Sequence, residues 1–148
     1  MQRRVFIVTG VAIATGLVIG IGLFRSGASA ENLTLEAASG ASLASDPATL
    51  LVDIRRPEEW RETGVIEGAL LVTYASPESF LAVIAPHLKE GQRLALICRS
   101  GNRTSRAARQ IAKIVDFPVV DIQGGMIRVL REGYRPVRPS KKMGCQTC

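Results

Sequence analysis

The sequence predicts an α/β domain with a mainly parallel central sheet of about four to five strands, covered by helices on both faces. Two observations predict it. Four short apolar runs, at residues 50–53, 69–72, 93–98 and 119–122, recur along the chain, and a stretch of helical character separates each from the next. The runs are nearly continuous in apolar residues instead of alternating, as strands of a parallel sheet buried on both sides are.

In chain order, the Ala/Ser-rich stretch from Glu31 to Asp46 opens with Leu33 to Ser39, which reads as a short helix at the domain entry. Leu50 to Asp53 is a strand that ends in a carboxylate. Pro57, Glu58 and Glu59 then open a helix, since proline at the first position forfeits no hydrogen bond and acids there complement the helix dipole. Gly64 to Ala69 turns the chain back into a strand ending at Val72. Ser76 is placed to cap the next helix, with Pro77 at its first position, and the helix runs toward Leu88. Arg93 to Cys98 is the strongest strand and ends at the cysteine. Thr104 to Val115 is a helix with Ala107, Ala108, Ile111 and Val115 on one side. Val119 to Ile122 is the last strand and Gly124 to Gly133 the last helix. The domain is expected over residues 31–137, followed by a loose basic tail, 138–148, that ends in Cys145 and Cys148.

Residues 1–30 read as a targeting segment. Arg3 and Arg4 give a positive start, Val5 to Phe24 runs without a charge, and Ala28 and Ala30 form a small-residue cleavage site before Glu31. As a helix, the uncharged run would measure roughly 30 Å, enough to cross a bilayer. A cleaved signal peptide and a retained N-terminal anchor both stand. Both put the rest of the chain in the periplasm or an equivalent exterior space, with membrane contact only through residues 5–24 if uncleaved. The segment carries Arg3, Arg4 and Arg25 and no acid, so without it the net charge falls from +6 to +3. The high isoelectric point therefore owes much to the leader. Aromatic residues are 5% of the chain and no basic stretch interleaves with them, so no nucleic-acid partner is expected.

The informative feature is a cysteine where a strand ends and a helix begins, because open α/β sheets bind ligands at the carboxyl ends of their strands. Cys98, Arg99, Ser100, Gly101, Asn102 and Arg103 form a short polar loop with glycine near its middle. Glycine reaches backbone angles that let successive amides curl inward around a sulfur. The following helix adds its positive end, and Arg99 and Arg103 add formal charge. Each influence favours a thiolate, the nucleophilic form. The bland reading, an inert buried cysteine, needs neither arginine nor glycine. Asp53 and Arg55, at the end of a neighbouring strand, are expected at the same rim. Alternatively, Asp53 caps a turn and Arg55 is solvated. Arg56 has no such support. Trp60 is expected in the core. His87, the single histidine, is expected to be solvated or to cap a helix end.

These residues together resemble the rhodanese family. The loop from Cys98 to Arg103 is similar to its active-site loop. Leu51 to Arg55 with Pro57 to Trp60 is similar to its strand-and-turn signature, Gly64 to Ala69 to its Gly-His-Ile-Pro-Gly-Ala turn, and Gly124 to Pro136 to its closing helix and exit. Val65 and Glu67 depart from that turn, where the family often has histidine and proline. The resemblance implies a small rhodanese-like domain that moves sulfane sulfur from a donor such as thiosulfate to a thiol or cyanide acceptor. Cys98 would carry the sulfur as a persulfide between two half-reactions. It implies supporting roles for Asp53 and Arg55, and no cofactor or metal. Phosphatases of this general fold resemble Cys-x5-Arg. Here Arg103 is the fifth residue after Cys98, Cys-x4-Arg, and the smaller ring suits sulfur. A non-catalytic binding or sensing module is an alternative.

Cys145 and Cys148 supply two thiols, half of a tetrahedral zinc site, with no second pair to complete it. In an exported protein the expected state is a disulfide. An inert disulfide, a mobile redox or sulfur relay reaching Cys98 and meeting a thiol-redox partner protein, and a soft copper(I) site are the three readings of the pair.

Overall fold

The computed structural model describes residues 32–148. The targeting segment therefore lies outside the described residues. Among the described residues no helix is long and apolar enough to cross a membrane.

Five strands form one sheet: β1 (Leu33–Glu36), β2 (Thr49–Asp53), β3 (Leu70–Leu71), β4 (Arg93–Ile97) and β5 (Val119–Ile122). Their order is β1-β5-β4-β2-β3, and every pairing between them is parallel. The connecting helices are α1 (Gly40–Ser45), α2 (Pro57–Thr63), α3 (Pro77–Ile84), α4 (Asn102–Ala112) and α5 (Gly125–Arg131). Right-handed crossovers distribute them. Connections that move toward β3 carry α1 and α2 on one face, and those that move back toward β1 carry α3 and α4 on the other.

Side chains of β4 divide strictly between the two faces, as strand periodicity requires. Ala95 and Ile97 join Leu43, Trp60, Met126 and Val129 under α1, α2 and α5. Leu94, Leu96 and Cys98 join Phe80, Ile84, Ala107 and Ile111 under α3 and α4. The helix starts follow local chemistry. Ser76 caps α3, accepting from the Ser79 amide, and Pro77 stands at its first position.

Two expectations are corrected. Residues 33–36 form a strand, not a helix. β1 pairs with β5 from Leu33–Val119 to Glu36–Ile122. Without β1, β5 would present an edge of unpaired amides and carbonyls, and this pairing outweighs the weak helical preference of so short a segment. The helix starts later, where Ser39 caps Gly40–Ser45 by accepting from the Ser42 amide. The tail is also packed instead of loose. Val137 exchanges backbone hydrogen bonds with Val65, and a 3₁₀ turn at Lys141–Met143 leads to Cys145, which is fully buried in the core cluster that also holds Leu71 and Trp60. Gly144 (φ +108°) lies so close to the Leu71 carbonyl that a Cβ there would stand 2.6 Å from its oxygen.

Candidate active site

The connection leaving β2 departs toward one edge of the sheet and the connection leaving β4 toward the other. The gap between their carboxyl ends is thus a topological switch point, where open α/β sheets bind ligands. Cys98 stands there, directly after β4, with 1% of its surface exposed. Its Sγ accepts a hydrogen bond from the Gly101 amide at 3.2 Å. Thr104 Oγ1 lies 3.7 Å from the sulfur and donates to the Gly101 carbonyl at 2.8 Å. Gly101 is left-handed (φ +95°, ψ −20°), and that conformation turns its N–H back toward the sulfur at no steric cost. Helix α4 begins at the next residue, so its positive end adjoins the same atom.

The loop is also held from outside. The amides of Met126 and Ile127, in the first turn of α5, donate to the carbonyls of Cys98 (2.8 Å) and Arg99 (3.0 Å). This approach requires glycine at 125. A Cβ there would run into the Cys98 carbonyl oxygen and come within 2.8 Å of the Arg99 carbonyl, and its φ is +55°.

The arginines do not surround the sulfur as the sequence suggested. Arg103 turns its guanidinium to Glu59, with Nη1 donating to Oε2 at 2.7 Å and Nη2 to Oε1 at 2.5 Å. A bidentate carboxylate is the better partner for a planar fork than a single sulfur atom. The bond to Arg103 holds the Glu59 carboxyl at about 2, against an ordinary 4.5. Glu59 in turn raises Arg103, with smaller upward contributions from Cys98 and Asp53. Arg103 thus acts on the sulfur at longer range.

Arg55 is not solvated, and it lines a small cavity together with Glu59, Arg99 and Met126. It is 1% exposed, and its guanidinium grips Asp53 (2.8–3.0 Å). The remaining donors reach the Glu59 carbonyl, Thr63 Oγ1 and the Gly64 carbonyl at 3.1, 2.6 and 2.7 Å. Asp53 also caps the turn, accepting from the Arg55 amide at 3.0 Å. The pair fixes α2 to the end of β2, and with it Glu59. Truncating one partner would leave an uncompensated buried charge, a loss of about 3–5 kcal/mol in such sites.

Arg99, Ser100 and Asn102 are exposed. Arg99 and Arg103 line a cavity of about 630 Å³ together with Ile54, Arg56, Glu59, Thr73, Tyr74, Arg106, Ala107 and Gln110. Ile54 and Ala107 belong to the same packed cluster as Cys98. Sequence reasoning missed Glu59, Thr104, Arg106, Tyr74 and Gln110, and set Arg56 aside. Only Arg106 carried a readable signal: it follows Arg103 by three positions in a helix and so shares its face.

Cys145 and Cys148 are joined as a disulfide. Arg61 Nη1 donates to the carbonyl and Oγ1 of Thr147, pinning the tail beside α2. Cys145 and Cys98 pack in clusters on opposite faces of the sheet. A relay between them would require the tail to leave its seat. Trp60 is core, as expected, and His87 is exposed beside the tail. Among the described residues no group of side chains is arranged to hold a metal.

Two measurements probe this geometry. Gly125→Ala should change the rate at which Cys98 reacts with a small alkylating reagent by about tenfold or more and lower unfolding stability by about 1–3 kcal/mol, read by alkylation kinetics and urea denaturation. Because the folded Glu59 is depressed to about 2 from 4.5, the stabilisation it provides is complete above 4.5 and disappears as pH falls toward 2. The stability advantage of the natural chain over Glu59→Gln should therefore be constant from pH 7 to 5 and shrink below that. A gap that persists unchanged at pH 3 would contradict the ion pair.

The sequence profile of the rhodanese-like domain matches residues 36–137. Among curated proteins none matches at a significant level. A rhodanese-related protein from Thermoplasma volcanium is 27% identical (TM-score 0.54), covering 70% of this chain and 99% of its own. A Rhodopseudomonas palustris protein of unknown function, described as a possible tyrosine phosphatase, is 24% identical over 70% of this chain and 85% of its own (TM-score 0.58). A Staphylococcus saprophyticus protein shares 19% identity over 68% of this chain and 98% of its own (TM-score 0.50). The last two likenesses concern the fold alone. With the profile spanning more than half of its length and the loop after β4 in place, the chain belongs to the rhodanese-like domain family.

Proposed function

We propose that this protein is a sulfurtransferase that carries sulfane sulfur on Cys98. The observation that supports it is the seat of the sulfur. Cys98 Sγ is bonded by the Gly101 amide at the start of α4, inside a Cys-x4-Arg loop, next to a cavity rich in arginine. The loop offers hydrogen bonding to a sulfur anion and is one residue shorter than the Cys-x5-Arg loop of phosphatases that share the fold.

In the loading step the Cys98 thiolate attacks the outer sulfur of thiosulfate. The S–S bond breaks, sulfite leaves with the bonding pair, and Cys98 becomes a persulfide anion. In the second step an acceptor, cyanide or a thiolate, attacks the outer persulfide sulfur, and the Cys98 thiolate is regenerated. The Gly101 N–H holds the sulfur anion at the start and end of the cycle. The position of Arg99 at the cavity suits the charge of thiosulfate and sulfite. Each step, starting from the Cys98 thiolate, conserves charge and moves no proton.

Incubation with thiosulfate should add about 32 Da to the intact protein, one sulfur atom, and the gain should vanish in Cys98→Ser. An unaltered mass with every sulfane donor tried would remove the enzymatic reading and leave a binding module.

The reading extends to location. We place the domain outside the cytoplasm on the strength of residues 1–30, with a small sulfur donor and a thiol or cyanide acceptor as its partners and a thiol-redox protein as a further one through Cys145 and Cys148. Cell fractionation with N-terminal sequencing should find the protein in the exterior or membrane fraction, beginning at Glu31 if cleaved. Recovery of full-length protein in the cytoplasm would refute it.

A further inference from the structure

We propose that the amino-terminal end of the sheet is a membrane-docking surface. The apolar groove at Val115 and Phe117, with Ile114 next to it, rests on the bilayer that holds residues 5–24, and Cys98 is kept at the end facing away. The inference rests on reading residues 1–30 as a retained anchor and deepens that reading.

The first argument is where the leader joins the domain. Asn32 Nδ2 donates to the Val115 carbonyl at 2.9 Å and to the Phe117 carbonyl at 3.3 Å, and the Asn32 carbonyl accepts from the Val119 amide at 2.7 Å. Val115 and Phe117 lie in the connection between α4 and β5. They line a groove of about 310 Å³ with Leu81, Ile84, Ala85 and Leu88. All six lining side chains are apolar, and Ile114 beside them is 55% exposed. The chain thus enters the domain at the rim of an apolar surface.

Reach is the second argument. From Phe24, the last residue of the uncharged run, to Asn32 the chain spans at most roughly 28 Å. A domain of this length has a radius of gyration of about 13 Å and is roughly 35 Å across. An attachment point on the side away from the bilayer would stand beyond that reach, so the end that carries Asn32 lies toward the membrane. Strand β4 runs from this end to the other. The Leu94 amide donates to the Pro118 carbonyl at 2.9 Å, and Cys98 follows the strand's last residue, roughly 17 Å further along. The site therefore meets the aqueous side, from which small donors and acceptors diffuse.

The contact is apolar in character. Exposed Lys89 and Lys113 are offset by exposed Glu90 and Asp116 in the same two connections, so the surface does not depend on anionic lipid. A patch of this size binds a bilayer weakly alone, and the tether supplies the effective concentration that makes it sufficient.

The test places the full chain in nanodiscs of phosphatidylcholine that include a lipid with a nitroxide at the top of its acyl chain. In a Cys98→Ser background, a bimane is attached at Ile114→Cys or, as control, at Ile127→Cys. Ile127 is likewise apolar and 44% exposed, and its amide bonds to the Arg99 carbonyl at the active-site end. Quenching by the nitroxide should be about fivefold or more greater at 114 than at 127. Equal quenching at the two positions would overturn the docking surface. A fluorophore at 114 shielded from aqueous iodide yet untouched by the nitroxide lipid would put a second copy on the groove, and overturns it as well. N-terminal sequencing of the protein from cells separates the two failures. A chain that keeps residues 1–30 but makes no lipid contact at 114 retains the anchor and loses the docking surface. A chain that begins at Glu31 removes the anchor, and the orientation falls with it.

Discussion

The contact between the first turn of α5 and the loop after β4 governs the rest of the site. Two α5 amides take the carbonyls of Cys98 and Arg99, so the peptide planes that follow the cysteine cannot rotate freely. With those planes held, left-handed Gly101 aims its N–H at the sulfur and α4 starts in line behind it. The device is purely steric at its origin. Gly125, at positive φ, permits a distance of approach to the Cys98 and Arg99 carbonyls that any side chain would prevent.

A second layer is electrostatic, and it separates structural from available charge. Arg55 spends its donors on Asp53 and on the α2 backbone, and Arg103 spends its fork on Glu59. These two pairs join β2, α2 and α4 around the site. Because they are internally matched, the cationic character of the cavity comes from Arg56, Arg99 and Arg106 instead, which lie outside both pairs. Buried ion pairs of the Asp53–Arg55 kind are weak sources of net stability but strongly penalise any arrangement that separates them. That property suits a scaffold that must hold one geometry.

Much of this was legible in the residues. The strands at 49–53, 70–71, 93–97 and 119–122 were readable because a doubly buried strand must be apolar throughout, and the cysteine's place at a strand end followed from the run that precedes it. Ser76 and Pro77 announced α3 because caps act within one turn. The first strand was not legible. Leu33 to Glu36 is an edge strand, half exposed, and only the open side of β5 makes it a strand. The tail was misread for a similar reason. Its composition is that of a solvated segment, yet Cys145 joins the core cluster that holds Trp60 and Leu71, a place that no local pattern announces.

The site divides in the same way. The sequence by itself determined the place of the cysteine at a strand end, the length of its loop and the glycine within it, since these are local properties of six consecutive residues. Tertiary structure alone decided which charges face the cavity unpaired. Arg103 and Glu59, 44 residues apart, cancel each other, whereas Arg56 and Arg106 face the cavity. Electrostatic partnership depends on distances across the fold, and a linear chain records the charges without recording which of them will meet.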